Sequence, residues 1–83
     1  AGKGFAYEGG IRVPLIVRWP GKVKAGAVET TPVHAVDLLP TLLEIAGTKA
    51  PTGHVLDGAS LSGLLQGRTR LQPRALYWYM PLY

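Results

Sequence analysis

The chain has 83 residues, no cysteine, and a net charge of +4 from nine Lys and Arg against five Asp and Glu. The lack of cysteine excludes disulfides, a cysteine nucleophile and a thiolate metal site within these residues. No apolar run reaches the roughly 18 residues that a membrane span requires. The basic residues are spread along the chain and are dense only at 68–74, which weakens a nucleic-acid interpretation of the charge.

The chain opens on a glycine-rich loop, AGKGFAYEGG, and then alternates apolar residues over 11–19. Such alternation predicts a β-strand with one apolar face. Pro14 cannot donate a ladder hydrogen bond, so we expect the start of this strand to be unpaired on one side or to lie at a sheet edge. After the turn PGKVKAG, residues 28–34 predict a second short extended stretch.

The clearest predicted helix covers residues 37–46, in VDLLPTLLEIAG. Asp37 is predicted as its N-cap and Gly47 as the residue that ends it. Pro40 falls in the first turn, where its missing N–H removes no internal hydrogen bond. The apolar stripe of this helix consists of Leu39, Leu42, Leu43 and Ala46.

A second, shorter helix is predicted in SLSGLLQG, capped by Ser60 or Asp57 and ended by Gly67. After the basic turn RTRLQPR, residues 75–83 predict a third strand. The order of loop, strand, strand, helix, helix and strand is an α/β pattern. Two short helices and about three strands leave the sheet incomplete, because so few strands cannot close a sheet of their own.

Lys3 is the first candidate for chemistry because glycines flank it on both sides. Bare flanks let an anion approach both the backbone amides and the ammonium group. No G-x-x-x-x-G-K-[ST] motif is present, so spacing alone favours an exposed loop lysine. Glu8 lies four residues before Arg12 and is predicted to orient the opening loop through an ion pair.

Other polar and aromatic residues have simpler structural interpretations. Neither His34 nor His54 pairs with an acid at metal-ligand spacing, so no metal site is predicted. Asp37 is explained by the helix cap and Asp57 by a turn or cap in LDGAS. The aromatic residues of the last segment could stack on a base or a sugar, or pack in a core with some members at its rim; they are Tyr77, Trp78, Tyr79 and Tyr83.

Four blocks, in this order, carry a family resemblance: GKGFAYEGGIRVPLIVRWPGKVKAG, VDLLPTLLEIAG, LDGASLSGLLQG and RALYWYMPLY. Together they cover nearly the whole chain, and they resemble the later part of the catalytic domain of formylglycine-dependent sulfatases, in the alkaline-phosphatase-like superfamily. The resemblance implies a mixed α/β fold with a large central sheet. It also implies that residues 1–83 form a C-terminal portion of one catalytic domain, with no separate second domain.

The resemblance further implies hydrolysis of sulfate esters on a sulfated small molecule or glycan. In that family, formylglycine made from the Cys or Ser of a C/S-x-P-x-R motif attacks sulfur, and calcium held by acidic residues polarises the sulfate. Lys3 matches the lysine of the G-K-G block that lies against the sulfate, and it is the one position to which a catalytic and substrate-binding role is carried over. The matches at Glu8, Gly9, Gly10 and Arg12 are interpreted as framing the loop and strand.

Several parts of the family pattern are absent from these residues. There is no C/S-x-P-x-R motif, no metal-ligand pair of acids and no Asp-Asn ahead of Lys3. Calcium and formylglycine are therefore expected only in a full-length enzyme, and this chain alone is expected to be inactive. Where many bacterial relatives have a YWHYPHY-like string, this chain has YWYMPLY, so any contact that those histidines make is in doubt here.

Two alternatives remain open from the sequence. One is a phosphonate or phosphodiester hydrolase of the same superfamily. The other is a small basic module that binds nucleic acid through Arg68, Arg70, Arg74 and the Tyr/Trp segment. Under the sulfatase interpretation we expect no nucleic-acid partner and no membrane span, with a periplasmic or secreted location suggested by the resemblance alone. The isolated chain is expected to be poorly folded or self-associated, because its helix and strand faces need apolar partners.

Overall fold

The computed structural model describes residues 6–79. Its elements in chain order are helix α1, Glu8–Ile11; a 3-10 turn, Ala35–Asp37; helix α2, Leu38–Ile45; and helix α3, Ser62–Leu65. The remaining described residues are turns and irregular segments. Helix α2 contacts both the 3-10 turn and α3, so these three elements form the packed part of the chain.

The predicted helices are present at almost the predicted positions. Gly47 ends α2 at φ +72°, with its own N–H donating to the Glu44 carbonyl and the Thr48 N–H donating to the Leu43 carbonyl. This is the Schellman arrangement that a left-handed glycine permits. Gly67, at φ +73°, ends α3 in the same way. The sequence prediction of both helix ends is confirmed.

The predicted cap of α2 is confirmed in position, and the predicted cap of α3 is wrong. Asp37 is the N-cap residue of α2, but its carboxylate accepts no hydrogen bond from the amides of that helix. The carboxylate instead turns back to the His34 amide and completes a capping box around the 3-10 turn. The residue before α3 is Leu61, which has no capping side chain, so neither Ser60 nor Asp57 holds the predicted cap position. The Ser60 hydroxyl does accept the Ser62 amide at 3.2 Å.

The three predicted strands are not found among residues 6–79. In the segment predicted as a strand over residues 11–19, Ile11 belongs to α1 and the following residues form irregular chain. Residues 28–34 and 75–79 also form no β-strand. Residues 80–83 of the third predicted strand lie outside the described part. Alternation can indicate which residues face an apolar layer, but a strand also needs a neighbour that supplies ladder hydrogen bonds.

The interior of the described part is small and largely polar. Its buried apolar side chains are those of Leu61 and Leu64, and its buried polar residues are Asp37, Thr41 and Ser62. Gly58 allows this interior to form, because a Cβ there would overlap the carbonyl oxygen of Val36. The loop before α3 therefore packs directly on the 3-10 turn that precedes α2.

Candidate functional site

Asp37 is the centre of a buried polar cluster between the 3-10 turn and α2. Its side chain is 0% exposed. Arg74 donates two hydrogen bonds to it, from Nη1 to Oδ1 and from Nη2 to Oδ2, each 2.6 Å long. The amides of His34 and Ala59 donate to the same carboxylate at 2.8 and 3.0 Å. This Asp37 cluster joins three distant parts of the chain at one group.

The electrostatics of the Asp37 cluster favour the ionised carboxylate. The hydrogen bonds from Arg74, together with those from the amides of Ala59 and His34, lower the pKa of Asp37 to about 2 against the opposing effect of burial. The same pairing raises the pKa of Arg74. Both partners are therefore charged at neutral pH, in the bidentate geometry that arginine and carboxylate form most strongly.

The polar side of α2 extends this network towards α3. The Thr41 hydroxyl donates to the Asp37 carbonyl oxygen at 2.6 Å and accepts the Leu61 amide at 2.8 Å. One turn further on, the Ser60 hydroxyl donates to the Glu44 carboxylate. Residues 59–61 are thus attached to α2 by their backbone and hydroxyl groups, which leaves no buried side-chain polar atom without a partner in the described residues.

The Asp37 cluster also brings the aromatic segment to the 3-10 turn. The ring of His34 lies against the indole of Trp78, with 4.7 Å between ring centroids and an angle of 34° between the planes. Nδ1 of His34 accepts the Val36 amide at 3.2 Å. Tyr77 and Tyr79, on either side of Trp78, are exposed. His34 therefore has a structural role, as predicted, and one aromatic of the segment packs while its neighbours face solvent.

The candidate catalytic residue of the sequence prediction, Lys3, lies outside residues 6–79, as does Tyr83, so the role of Lys3 stays a prediction. The neighbouring ion pair is confirmed: Arg12 Nη1 lies 3.3 Å from Glu8 Oε2 across one turn of α1. Both side chains are largely exposed, so this pair contributes little to stability.

The three arginines of the basic segment 68–74 have different surroundings in the structure. Arg74 is engaged by Asp37, whereas Arg68 and Arg70 are exposed and line a shallow depression with Glu29 and Thr69. An arginine held in a buried ion pair is not available to a phosphate. The three-arginine surface predicted for the nucleic-acid alternative is therefore reduced to two arginines, beside an acidic residue.

No metal site or membrane helix is found in the described part of the chain. Within residues 6–79, no three His, Asp or Glu side chains come together as a metal-binding group. No helix in that range combines the length and apolar character needed to cross a bilayer.

Comparison with known proteins identifies the family. The family described as "N-sulphoglucosamine sulphohydrolase, C-terminal" matches residues 2–82. The chain belongs to this sulfatase family. The match runs from the glycine-rich loop through the Asp37 cluster to the aromatic segment, so the cluster is part of the family's domain rather than an added segment.

Individual sulfatases are similar over the same length. A protein named "Sulfatase" from Formosa agariphila is 44% identical over 86 aligned residues, covering 98% of this chain and 16% of that protein. "Steryl-sulfatase" of Mus musculus is 40% identical over 83 residues, which is 99% of this chain and 13% of that protein. "Arylsulfatase A" of Homo sapiens is 43% identical over 82 residues, which is 99% of this chain and 16% of that protein. The chain thus spans about a sixth or less of these relatives.

The Asp37–Arg74 pair was missed by sequence reasoning, which assigned Asp37 to a cap and Arg74 to a basic turn. Thirty-seven residues separate the two, so no local spacing rule links them. One signal was present: Asp37 interrupts an apolar helical pattern, and a charge in such a position is usually paired when buried. That signal predicts that a partner exists but not which of the nine basic residues it is.

Proposed function

We propose that this chain is the C-terminal part of an enzyme that hydrolyses sulfate esters of a sulfated small molecule or glycan. The observation that carries the proposal is the family match over residues 2–82, which includes the glycine-flanked lysine at its start. Residues 1–83 are one portion of a single catalytic domain in this proposal. The phosphonate or phosphodiester hydrolase is the alternative with related chemistry.

Lys3 is proposed to contact the sulfate group. As the S–O bond breaks, negative charge develops on the bridging oxygen, and a fixed ammonium group there stabilises the transition state more than the ground state. A lysine suits this role because it is a compact point charge with three donors. The glycines on both sides leave room for a sulfate to approach.

The other reaction components are proposed to come from the rest of the parent polypeptide. The sequence has no cysteine and no C/S-x-P-x-R motif to yield formylglycine. Residues 6–79 bring no three candidate metal ligands together. The contribution proposed for the Asp37 cluster is structural, because it holds the loop, helix and aromatic segments in one arrangement.

The test is to replace Lys3 in the full-length parent enzyme and assay p-nitrophenyl sulfate. Lys3→Ala is expected to lower kcat by about 10²–10³-fold, the usual cost of removing one preorganised electrostatic group. Lys49→Ala, which removes an exposed loop lysine, is the matched control and should leave kcat unchanged. A Lys3→Ala enzyme that keeps its melting temperature and most of its kcat would contradict the role of Lys3.

Assays of the full-length parent enzyme on two substrates distinguish a sulfatase from a phosphodiester hydrolase. We expect kcat/KM for p-nitrophenyl sulfate to exceed that for bis(p-nitrophenyl) phosphate. The reverse order would support the phosphodiester hydrolase and reject the sulfatase assignment, whatever the effect of Lys3→Ala.

A further inference from the structure

Helix α2 directs its polar side towards its own chain. Asp37, Thr41 and Glu44 follow one another at helical spacing, and each bonds to the segment before α3: to the Ala59 amide, the Leu61 amide and the Ser60 hydroxyl. An ordinary surface helix does the opposite, with its apolar stripe on the core and its polar side in water.

A neighbouring side of α2, offset by one residue and therefore about 100° around the helix axis from Asp37, Thr41 and Glu44, is apolar and exposed. Leu38, Leu42 and Ile45 lie at i, i+4 and i+7, on one face, and are 44%, 61% and 42% exposed. Leu39 beside them is also exposed. We call Leu38, Leu39, Leu42 and Ile45 the outer face of α2. Four large apolar side chains along two turns of one helix form a contiguous patch of the kind that marks an interaction site.

The outer face cannot turn inward within this chain. The bonds that Asp37 and Thr41 make to residues 59–61 and to Arg74 fix the rotation of α2 about its axis. Turning the leucines towards α3 would break these bonds and leave the buried Asp37 charge without partners, at a high cost in free energy. The exposure of the outer face is therefore a consequence of the Asp37 cluster.

We propose that the outer face of α2 is an interface inside the parent enzyme, covered by an apolar surface from the part of the polypeptide that lies outside these 83 residues. The sulfatase relatives are about six times as long as this chain or longer, so the missing part is large enough to provide that surface. A surface on the same polypeptide also acts at a millimolar effective concentration, which a second copy of the protein does not reach. The inference depends on the family membership and not on the reaction.

The experiment measures thiol labelling of the full-length parent enzyme by N-ethylmaleimide at Leu42→Cys. Trypsin releases position 42 in the peptide 25–49, which has no other cysteine and can be followed by mass spectrometry. If the outer face is covered, the native enzyme should label at least ~10-fold more slowly than the same variant in denaturant, since a buried thiol reacts only through local opening. The protection should not change on dilution.

Val55→Cys is the matched control, because Val55 is 87% exposed in a loop and trypsin places it in the separate peptide 50–68. Ile45→Cys, one turn along the outer face, repeats the measurement in case Leu42→Cys perturbs folding, and a melting curve checks each variant. Less than ~10-fold protection at both outer-face positions in folded enzyme overturns the proposal. Protection that disappears on dilution also overturns it, in favour of a second copy as the occupant. Neither outcome bears on the Lys3 assay.

Discussion

At the scale of single residues, the carboxylate of Asp37 stands out because it is fully buried and fully bonded. It accepts hydrogen bonds from Arg74 through both oxygens and from the amides of His34 and Ala59. A buried charge without such partners would be strongly destabilising. With them, Asp37 fixes the relative position of the 3-10 turn, the loop before α3 and the segment that leads to Trp78.

Replacing Asp37 by Asn in the parent enzyme should lower the free energy of unfolding by about 3 kcal/mol, the usual cost of removing one partner of a buried ion pair. Asparagine has nearly the same shape as aspartate, but it removes the negative charge that faces the Arg74 guanidinium. The Arg74 side chain is only 22% exposed, so its charge would stay largely buried without a counter-charge. Urea denaturation measures the change. Asp57→Asn, at an exposed position, is the control and should change stability by less than about 0.5 kcal/mol. Equal effects at the two positions would contradict the role of Asp37.

The same residue predicts a pH dependence of stability. The pKa of Asp37 is lowered in the folded state to about 2, from an ordinary value of 3.8. The stabilisation is therefore fully present above the unfolded pKa. It is lost progressively as the pH falls from about 5 through the folded pKa of about 2, because the carboxylate then becomes protonated in both the unfolded and the folded state. The lost free energy is about 2 kcal/mol. Urea titrations of the parent enzyme and its Asp37→Asn variant at several pH values should show their difference in stability shrinking over this window; a difference that stays constant would be inconsistent with the lowered pKa.

At the scale of elements, the sequence predicted correctly the features that depend on neighbouring residues, such as the ends of helices. The ends of α2 and α3 were predicted correctly because Gly47 and Gly67 can adopt the left-handed conformation that a helix end uses. Asp37 occupies the predicted N-cap position of α2, but the bond of its carboxylate to Arg74 was not predicted, because the two residues are distant in sequence. The strands were not found among residues 6–79 because pairing depends on a neighbouring strand, which a hydrophobic pattern does not specify. The site predicted at Lys3 came from family resemblance, since the bare loop spacing alone favoured an exposed lysine.

Two glycines give a prediction about how the loop before α3 packs on α2. Gly58→Ala should destabilise the parent enzyme more than Gly47→Ala, because a Cβ at Gly58 would overlap the backbone carbonyl of Val36. The shift needed to relieve this overlap would weaken the bond from the Ala59 amide to Asp37. At Gly47 a Cβ meets open space, and the cost is only the left-handed φ of +72°, about 1–2 kcal/mol. Thermal melts of the two variants would show this order, and a larger loss for Gly47→Ala would be evidence against the packed loop.

At the scale of the whole molecule, the chain has apolar residues but little apolar interior. Hydrophobic residues make up 47% of the sequence, yet the buried apolar side chains of the described part are only those of Leu61 and Leu64. The radius of gyration is 14.5 Å, whereas a compact domain of this length is expected at about 12 Å. Most large apolar side chains of residues 6–79 are thus not buried within that range, and the interpretation that they need partners elsewhere stays a prediction.

The last prediction concerns the isolated 83-residue chain. Hydrophobic burial is the main favourable term in folding, and the few side chains buried here cannot offset the conformational entropy of ordering the chain. The Asp37 cluster does not replace that term, since a buried ion pair contributes little net stability by itself. We therefore expect the isolated chain to be poorly folded, or to self-associate through exposed apolar surfaces such as the outer face of α2. Sedimentation velocity with a thermal melt monitored by circular dichroism tests this, and a monomer with a cooperative melt would contradict it.

Leu42→Lys in the isolated chain should reduce any self-association, because it places a charge at the most exposed position of the outer face. Val55→Lys, which adds the same charge in a loop away from α2, should reduce it less.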